Sequence, residues 1–232
     1  MAVAIVTGAS SGIGLAVSRK LVEMGFAVHG ISRGETRMPI DGSFIAVPCD
    51  LTDLTALETV AERILEGAGS LDLLVNCAGV GFFGPHETLR VADLEEMVRT
   101  NLLAPIVLTG LTLRHLRQSR GAVINIASTA AVTPHRFGAA YAATKAGLLR
   151  FGESLFQEAR KSGVRVVTLL PDMTLTPFYD RADFEPDDDP ECHITPECVA
   201  DAVAQVLSLR EGTVVTQMTI QPQRVGVKRK GG

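Results

Sequence analysis

Short apolar runs rich in valine and isoleucine alternate along the chain with longer segments in which apolar residues recur at helical spacing. Because the apolar runs present hydrophobic residues to both faces, we expect a parallel sheet covered by helices on both sides. The predicted strands are 2–7, 27–32, 43–48, 71–76, 121–127, 164–170 and 213–220, and the predicted helices are 12–24, 53–66, 92–114, 138–161 and 196–209.

The strict alternation of strand and helix predicts right-handed crossovers and a doubly wound α/β fold of about seven strands. The chain has no linker, internal repeat or low-complexity block, so one domain is expected over residues 1–222. A long irregular stretch at 171–195 is expected to be a lid or binding loop, with the acidic run at 187–189 as solvated surface. The basic tail at 223–232 is expected to be flexible.

Composition narrows the class of protein. The 232 residues are 46% hydrophobic, which supplies a buried core, and the net charge of −4 argues against a nucleic-acid surface. We expect no membrane span, because every apolar run is too short, and no signal peptide, because the N-terminus lacks a basic region. The cysteines show no paired spacing, so we expect reduced thiols and a cytoplasmic location. The spacing of Cys192, His193 and Cys198 fits no zinc pattern, so we expect no metal.

The first predicted strand runs into a glycine-rich turn, TGASSGIG, that opens a helix. Its glycines permit a sharp turn and a close approach to a pyrophosphate, and the helix N-terminus offers free N–H groups to the phosphates. Strand, turn and helix together predict a dinucleotide site in a Rossmann-type fold, with a tight turn that binds no ligand as the alternative. The candidate residues are Gly8, Ser10, Ser11, Gly12, Ile13 and Gly14.

This turn resembles the coenzyme fingerprint of the short-chain dehydrogenase/reductase family, in its single-domain branch. Further family markers follow in order along essentially the whole chain. They are Asp50-Leu51, Asn76-Cys77-Ala78-Gly79, Asn101, Ser128, Tyr141 with Lys145, and Pro171. The resemblance implies a nicotinamide coenzyme that exchanges hydride with a small carbonyl or alcohol substrate.

The tip of the second strand indicates which coenzyme to expect. In a dinucleotide fold this tip meets the adenosine ribose, where an acidic residue would repel a 2′-phosphate. Ser32 carries no charge and Arg33 offers a planar fork of donors that matches phosphate oxygens, so NADP(H) is expected over NAD(H). Glu35 could weaken this preference, and Arg33 as an ordinary surface residue is the alternative.

The resemblance implies further coenzyme contacts. Asp50 would receive the adenine amino group while Leu51 packs near the base, although Asp50 could equally be a turn residue before a helix. Cys77 stands where the family usually has asparagine, and Asp172 stands where it usually has glycine. The other residues implied to contact the coenzyme are Asn76, Ala78, Gly79, Tyr141, Lys145, Pro171, Thr174 and Thr176.

Tyr141 and Lys145 are four residues apart and therefore share one helical face. A nearby ammonium favours the phenolate, so we expect the pKa of Tyr141 to lie below its usual value near 10. The resemblance makes Tyr141 the proton donor and acceptor, has Lys145 hold the nicotinamide ribose, and has Ser128 bond the substrate carbonyl. Thr129 is the rival hydroxyl to Ser128, and an ordinary exposed helix is the alternative for the pair.

Pro105 has no N–H to give to the carbonyl of Asn101, so the helix predicted over 92–114 should kink there. The resemblance has this carbonyl bind a water molecule that relays protons through Lys145. A kink that merely fits the helix to the sheet is the alternative.

The identity of the substrate is not readable from the sequence. Aromatic and apolar residues that could line its pocket, or instead belong to the core or a dimer contact, are Phe82, Phe83, Pro85, Met173, Phe178, Tyr179 and Phe184. The resemblance implies a homo-oligomer, with a dimer favoured over a tetramer, that pairs through helices 92–114 and 138–161. The alternatives to a reductase are a non-catalytic NADP(H)-binding sensor or scaffold and a dehydratase or epimerase on the same fold.

Overall fold

The computed structural model describes residues 1–34 and 43–230 and contains every predicted strand. The strands are β1 (Val3–Thr7), β2 (Ala27–Ser32), β3 (Phe44–Pro48), β4 (Leu73–Asn76), β5 (Ala122–Ile126), β6 (Arg165–Pro171), β7 (Phe184–Pro186), β8 (Gln217–Ile220) and β9 (Val227–Arg229). Seven of them form a parallel sheet in the order β3-β2-β1-β4-β5-β6-β8. The predicted Rossmann-type α/β fold is confirmed.

Helices cover both faces of this sheet. They are α1 (Gly12–Glu23), α2 (Leu54–Ala68), α3 (Val91–Val98), α4 (Ala104–Ser119), α5 (Ala139–Ala159) and α6 (Pro196–Leu207). On one face α1 packs against α6, and on the other α2 packs against α4, which contacts α5. In the part of the chain that the structure describes, no helix has both the length and the apolar character to cross a membrane.

The two-sided apolar pattern of the strands reflects two cores. Along β1, Val3 and Ile5 join the core under α2 and α4, whereas Ala4 and Val6 join the core under α1 and α6. Since successive side chains of a strand point to opposite faces, a strand buried on both sides must be apolar at every position. The sequence pattern therefore follows directly from the layered architecture.

The strand order reverses beside β1, since β2 lies on one side of it and β4 on the other. Ligands of open α/β sheets bind at the carboxyl ends of the strands at such a point. Here the amide of Gly8, just after β1, donates to the carbonyl of Ile31 in β2 over 2.8 Å. The glycine turn, the tip of β2 and the segment after β4 therefore share one edge of the sheet.

The helix predicted over 92–114 is interrupted in the middle. A π-helical turn, Arg99–Leu103, separates α3 from α4, and the amide of Ala104 bonds the carbonyl of Arg99 five residues earlier. Because Pro105 cannot supply the usual hydrogen bond to Asn101, the helix accommodates a wider turn at that position. The predicted interruption at Asn101 is present, in the form of a π turn.

The irregular stretch predicted at 171–195 and the C-terminal tail each contain a short strand. These strands, β7 and β9, pair antiparallel with Phe184 opposite Arg229. Ion pairs also connect the two segments. The ion pairs are Arg224 with Glu191 and Asp189, Lys228 with Glu185 and Asp188, and Lys230 with Glu185.

Candidate active site

The carboxyl ends of the central strands enclose a cleft of about 570 Å³, a size typical of small-molecule sites. Asn76 and Asn101 lie outside its lining. The predicted coenzyme residues that do line it are Gly8, Ser10, Ser11, Gly12, Ile13, Gly14, Ser32, Arg33, Asp50, Leu51, Ala78, Gly79, Tyr141, Lys145, Pro171, Thr174 and Thr176. Ser128, the predicted substrate contact, lines the same cleft.

The glycine turn has a conformation that other residues would resist. Gly8 and Gly12 have φ values of 71° and 50°, in the left-handed region that side chains disfavour. A Cβ atom on Gly14 would lie only 2.2 Å from the carbonyl oxygen of Gly8. The turn therefore leads tightly into α1, whose first N–H groups lie at the cleft, and this arrangement fits a pyrophosphate.

Arg33 lines the cleft beside the tip of β2 and is about half exposed. Its Nη1 lies 3.3 Å from Oε1 of Glu96 in α3, so an ion pair competes for the guanidinium. The hydroxyl of Ser32 donates to the carbonyl of Gly34 over 3.0 Å and brings no charge to the site. Glu35 lies outside the described residues.

Asp50 has the turn role that was the alternative to adenine recognition, and it also lines the cleft. Its Oδ1 accepts hydrogen bonds from the amide and the hydroxyl of Thr52, each at 2.9 Å. The hydrogen bond from the backbone amide of Thr52 is the largest cause of a lowered pKa of Asp50. The nearby charge of Arg33 also lowers this pKa. Asp53, three residues later, caps α2 by accepting from the amide of Ala56.

Thr7 has a structural role that the sequence analysis missed. Its hydroxyl oxygen accepts hydrogen bonds from the amides of Cys77 and Ala78, each at 3.0 Å. These bonds tie the end of β1 to the segment after β4. The position of a hydroxyl-bearing residue directly before Gly8 is the feature of the sequence that could have indicated this role.

Cys77, which stands where the family usually has asparagine, is partly buried at the end of β4. Burial raises the pKa of its thiol to about 12, so the thiol is neutral at physiological pH. Two residues later, a Cβ atom on Gly79 would lie 3.3 Å from Nζ of Lys145. The small residues after β4 therefore leave room for the lysine.

Tyr141 and Lys145 are both buried, with 8% and 3% of their surface exposed, which excludes the interpretation as an exposed helix face. Lys145 Nζ donates to the carbonyl of Ile126 at the end of β5 over 2.9 Å. It also lies 5.8 Å from the centroid of the Tyr141 ring. Burial lowers the pKa of Lys145 to about 8, because the charged form loses hydration.

The predicted direction of the Tyr141 pKa shift is wrong for the protein alone. Burial raises this pKa to about 12, and a hydrogen bond with Ser128 only partly opposes that effect. Desolvation of the phenolate therefore outweighs the neighbouring ammonium. Ser128 also accepts a hydrogen bond from the amide of Ala130 over 3.2 Å, which fixes its side chain beside the tyrosine.

Asn101 is fully buried in the π turn and acts through its side chain. Its Oδ1 accepts from the amide of Val80 and its Nδ2 donates to the carbonyl of Val80, both over 2.8 Å. Nδ2 also donates to the hydroxyl of Thr144 over 3.1 Å. Asn101 thus connects the loop after β4 to α5, a role that the sequence analysis did not anticipate.

Asn76 belongs to the layer beneath the site. Its Nδ2 donates to Oδ1 of Asn125 over 2.9 Å and to the hydroxyl of Thr109 over 3.2 Å. These bonds join β4, β5 and α4 in the interior. Its predicted coenzyme contact is therefore not supported by the placement of its side chain.

Aromatic side chains surround Tyr141 on the side away from the glycine turn. The rings of Phe83 and Phe178 lie 5.4 Å and 5.6 Å from its ring centroid, and Tyr179 and Phe184 continue the cluster. A small adjoining cavity between these rings is also lined by Ser128, Thr129, His135, Asp172 and Met173. Phe82 lines the main cleft, whereas Pro85 lies on the surface and lines neither cavity.

Asp172 replaces glycine without backbone strain, since its φ is not in the left-handed region. Its amide donates to the carbonyl of Ile220 over 2.9 Å, in continuation of the pairing between β6 and β8. Thr174 donates to the carbonyl of Asp172, and Thr176 caps the short helical turn that follows by accepting from the amide of Phe178. Asp172 lines both the main cleft and the small cavity.

Possible metal ligands are not clustered in residues 1–34 and 43–230, where no group of three or more His, Cys, Asp or Glu side chains is placed to hold an ion. Cys192 and Cys198 are free thiols, one buried and one exposed.

Comparison with known proteins decides the family. The profile of the family described as short chain dehydrogenase matches residues 2–185. The chain belongs to the short-chain dehydrogenase/reductase family. As a member of that family the protein is an oxidoreductase that binds a nicotinamide coenzyme and acts on CH–OH or C=O groups.

Individual relatives agree with this membership. An uncharacterized oxidoreductase of Staphylococcus epidermidis is 30% identical over 95% of this chain and 96% of its own length. The serine 3-dehydrogenase of Agrobacterium fabrum is 33% identical over 75% of this chain and 72% of its own. A metagenomic short-chain oxidoreductase in complex with NADP is 30% identical, with a TM-score of 0.78 over 95% of this chain and 97% of its own. Other solved neighbours are complexes with NADH.

Proposed function

We propose that the protein is an NADP(H)-dependent reductase of small ketones or aldehydes, which exchanges hydride between the nicotinamide and a carbonyl or alcohol carbon. The observation that carries this proposal is that Ser128, Tyr141 and Lys145 line a single cleft together with the glycine turn and Arg33. One elongated coenzyme would then extend from the phosphate-binding turn to the proton donor.

In this proposal the residues of the chain handle the proton and the substrate oxygen. When bound, the nicotinamide supplies or accepts the hydride. Because its pKa is about 12, the Tyr141 hydroxyl is protonated at neutral pH and can donate to an alkoxide oxygen. The Ser128 hydroxyl provides a second donor to that oxygen, where negative charge grows.

Lys145 would keep the site positively charged and resupply the proton. With a pKa of about 8 it is mostly protonated at neutral pH, yet it can release a proton to solvent more easily than an ordinary lysine. Asn101 holds Val80 and Thr144 around this lysine, which supports a role in positioning. Its backbone carbonyl remains the proposed site of the relay water.

The preference for NADP(H) is part of the proposal and rests on Arg33. Arg33 lines the cleft next to the uncharged Ser32. A 2′-phosphate would therefore meet the N–H donors of the guanidinium, and neither residue would repel it with a carboxylate. The metagenomic relative bound to NADP is consistent with this preference. Since other neighbours bind NADH, the preference depends on the residues of this chain.

We also propose a homo-oligomer in the cytoplasm, with residues 1–222 as a single domain. Exposed Ile106 in α4 and exposed Ala139 and Ala143 in α5 are available for a subunit contact. Leu148 and Leu155 of the same helix are buried within the subunit. Four free cysteines support a reducing compartment.

The decisive experiment follows NADPH absorbance with a panel of small ketones, aldehydes and quinones. The wild-type protein should oxidise NADPH with at least one of them, and Tyr141→Phe should lower kcat by about a thousandfold, since a general acid contributes about 10²–10⁴. NADPH binding to the variant should be nearly unchanged. Retained activity in Tyr141→Phe would refute the role of the tyrosine, whereas coenzyme binding without any turnover would favour the sensor or scaffold.

A further inference from the structure

Asp172 lines both the main cleft and the small aromatic cavity, and its charge acts on the phenol of Tyr179, which lines both as well. Tyr141 and Ser128 line both of these spaces as well. A charged group that borders the proposed reaction centre will interact with whatever the substrate carries near its reacting carbon.

The hydrogen bonds of this carboxylate hold it in place without neutralising it. Oδ1 accepts from the amide of Met173 over 2.8 Å, and Oδ2 accepts from Nε2 of Gln221 over 3.0 Å. Both donors are uncharged. Among the residues that the structure describes, no lysine, arginine or histidine forms an ion pair with Asp172.

Lys145 and Arg181, which line the cleft, each contact another group. Lys145 donates to the carbonyl of Ile126, and the ring of Tyr141 lies beside it. Arg181 stands at the rim of the cleft, 6.0 Å from the ring centroid of Phe82. His135 lines the small cavity, where its Nδ1 lies 3.1 Å from the carbonyl oxygen of Arg136.

Aromatic rings form the rest of the surroundings. Tyr179 is close enough to Asp172 that the carboxylate contributes, after burial and the neighbouring Tyr141, to a raised pKa of its phenol. The rings of Phe178 and Tyr179 are 5.1 Å apart, and Phe184 lies 5.6 Å from Tyr179. A carboxylate that has no ion-pair partner among the described residues and lines a cavity with aromatic rings is a suitable site for an ammonium group.

We propose that the preferred substrate carries a cationic nitrogen one or two atoms from the reacting carbon, and that Asp172 recognises it. The substrate class is thus an α- or β-amino ketone, or the corresponding amino alcohol in the reverse direction. Asp172 acts here as a specificity-determining residue, and the proposal rests on the oxidoreductase function proposed above.

The test compares 1-aminopropan-2-one with butan-2-one, which differ by an ammonium in place of a methyl group. At pH 7 the wild-type kcat/KM should favour the amino ketone by about tenfold or more, the size of one charge-assisted contact. Asp172→Asn should remove that preference by lowering kcat/KM for the amino ketone alone. Asp183→Asn, on an exposed carboxylate of the same segment that lines neither cavity, is the matched control and should leave the preference intact.

A binding measurement keeps the inference separate from the proposed chemistry. In Tyr141→Phe saturated with NADP⁺, NMR titration should show 1-aminopropan-2-ol binding about tenfold more tightly than butan-2-ol, and Asp172→Asn in that background should equalise the two. Equal binding before the second substitution would overturn the amine assignment, even if ketones are reduced. An equal loss with both ketones in Asp172→Asn would also overturn it, since the carboxylate would then serve the coenzyme. Selective amine binding to this variant, together with no turnover of any ketone by the wild type, would reject the proposed reductase but not the amine site.

Discussion

At the scale of single residues, burial controls the acid–base chemistry of this site. Tyr141 and Lys145 share one helical face, as their spacing predicts, but the fold removes both from water. Desolvation penalises each charged form and therefore raises the pKa of the phenol to about 12 and lowers that of the amine to about 8. The sequence could identify the pair, but only the depth of the cleft determines the direction of the tyrosine shift.

The lowered pKa of Lys145 predicts a pH limit on activity. We expect kcat/KM for NADPH in the reductive direction, which reports the free enzyme, to fall as pH rises through about 8, because the cationic lysine is lost. Tyr141, with its pKa of about 12, should add no second limb below pH 10. The pH–rate profile of the wild type measures this. Lys145→Met should be slow and lack the limb near pH 8, and a wild-type profile that stays flat to pH 10 would contradict the assignment.

The ion pair between Arg33 and Glu96 predicts an adjustable coenzyme preference. Arg33→Ala should lower kcat/KM for NADPH by about tenfold or more and change that for NADH less than about twofold, because only the 2′-phosphate uses the guanidinium. Glu96→Gln should raise kcat/KM for NADPH several-fold by releasing Arg33. Steady-state kinetics with both coenzymes would measure this, and an unchanged coenzyme ratio in both variants would show Arg33 to be an ordinary surface residue.

At the scale of elements, the π turn shows how a single proline shapes the site. The sequence predicts an interruption opposite Pro105, since the missing N–H is a local property of the chain. The bonds from the Asn101 side chain to Val80 and Thr144 could not be predicted, because they join residues 21 and 43 positions away. Long-range contacts of this kind depend on the assembled sheet.

Removal of the Asn101 side chain should destabilise the protein. In Asn101→Ala the amide and carbonyl of Val80 lose their partner, and burial of unpaired polar groups costs about 1–3 kcal/mol each. Chemical denaturation should show a loss of about 2–4 kcal/mol in the free energy of unfolding. A stability equal to wild type in Asn101→Ala would mean that the side chain does not hold the loop.

The pairing of β7 with β9 attaches the C-terminal tail to a strand that lines the small cavity. β7 carries Phe184 of the aromatic cluster, and Lys228 bonds Asp188 over 2.6 Å and Glu185 over 3.2 Å. Lys228→Gln should therefore speed amide hydrogen exchange across 183–189 several-fold and raise KM for the carbonyl substrate. Lys161→Gln, on an exposed lysine far along the chain from this sheet, is the control. Unchanged exchange in Lys228→Gln would show that the backbone hydrogen bonds between β7 and β9 hold this segment without the ion pairs.

At the scale of the whole molecule, the hydrophobic pattern is sufficient to predict the fold. Strands such as β1 are apolar at every position because two cores enclose them, and this pattern can be recognised in the sequence. The strand in the C-terminal tail could not be predicted in this way. A short polar segment has no hydrophobic pattern of its own, and β9 depends on pairing and ion pairs with a segment about 40 residues away in the chain.

The central claim is that Tyr141 protonates the substrate oxygen beside the nicotinamide, and a crystal structure with bound NADP⁺ tests it most directly. We predict that the Tyr141 hydroxyl points towards the C4 atom of the nicotinamide ring, and that Ser128 and the small aromatic cavity enclose the space between them. Lys145 should lie within hydrogen-bond distance of the nicotinamide ribose. A Tyr141 hydroxyl that lies far from C4, or that points away from it, would contradict the claim.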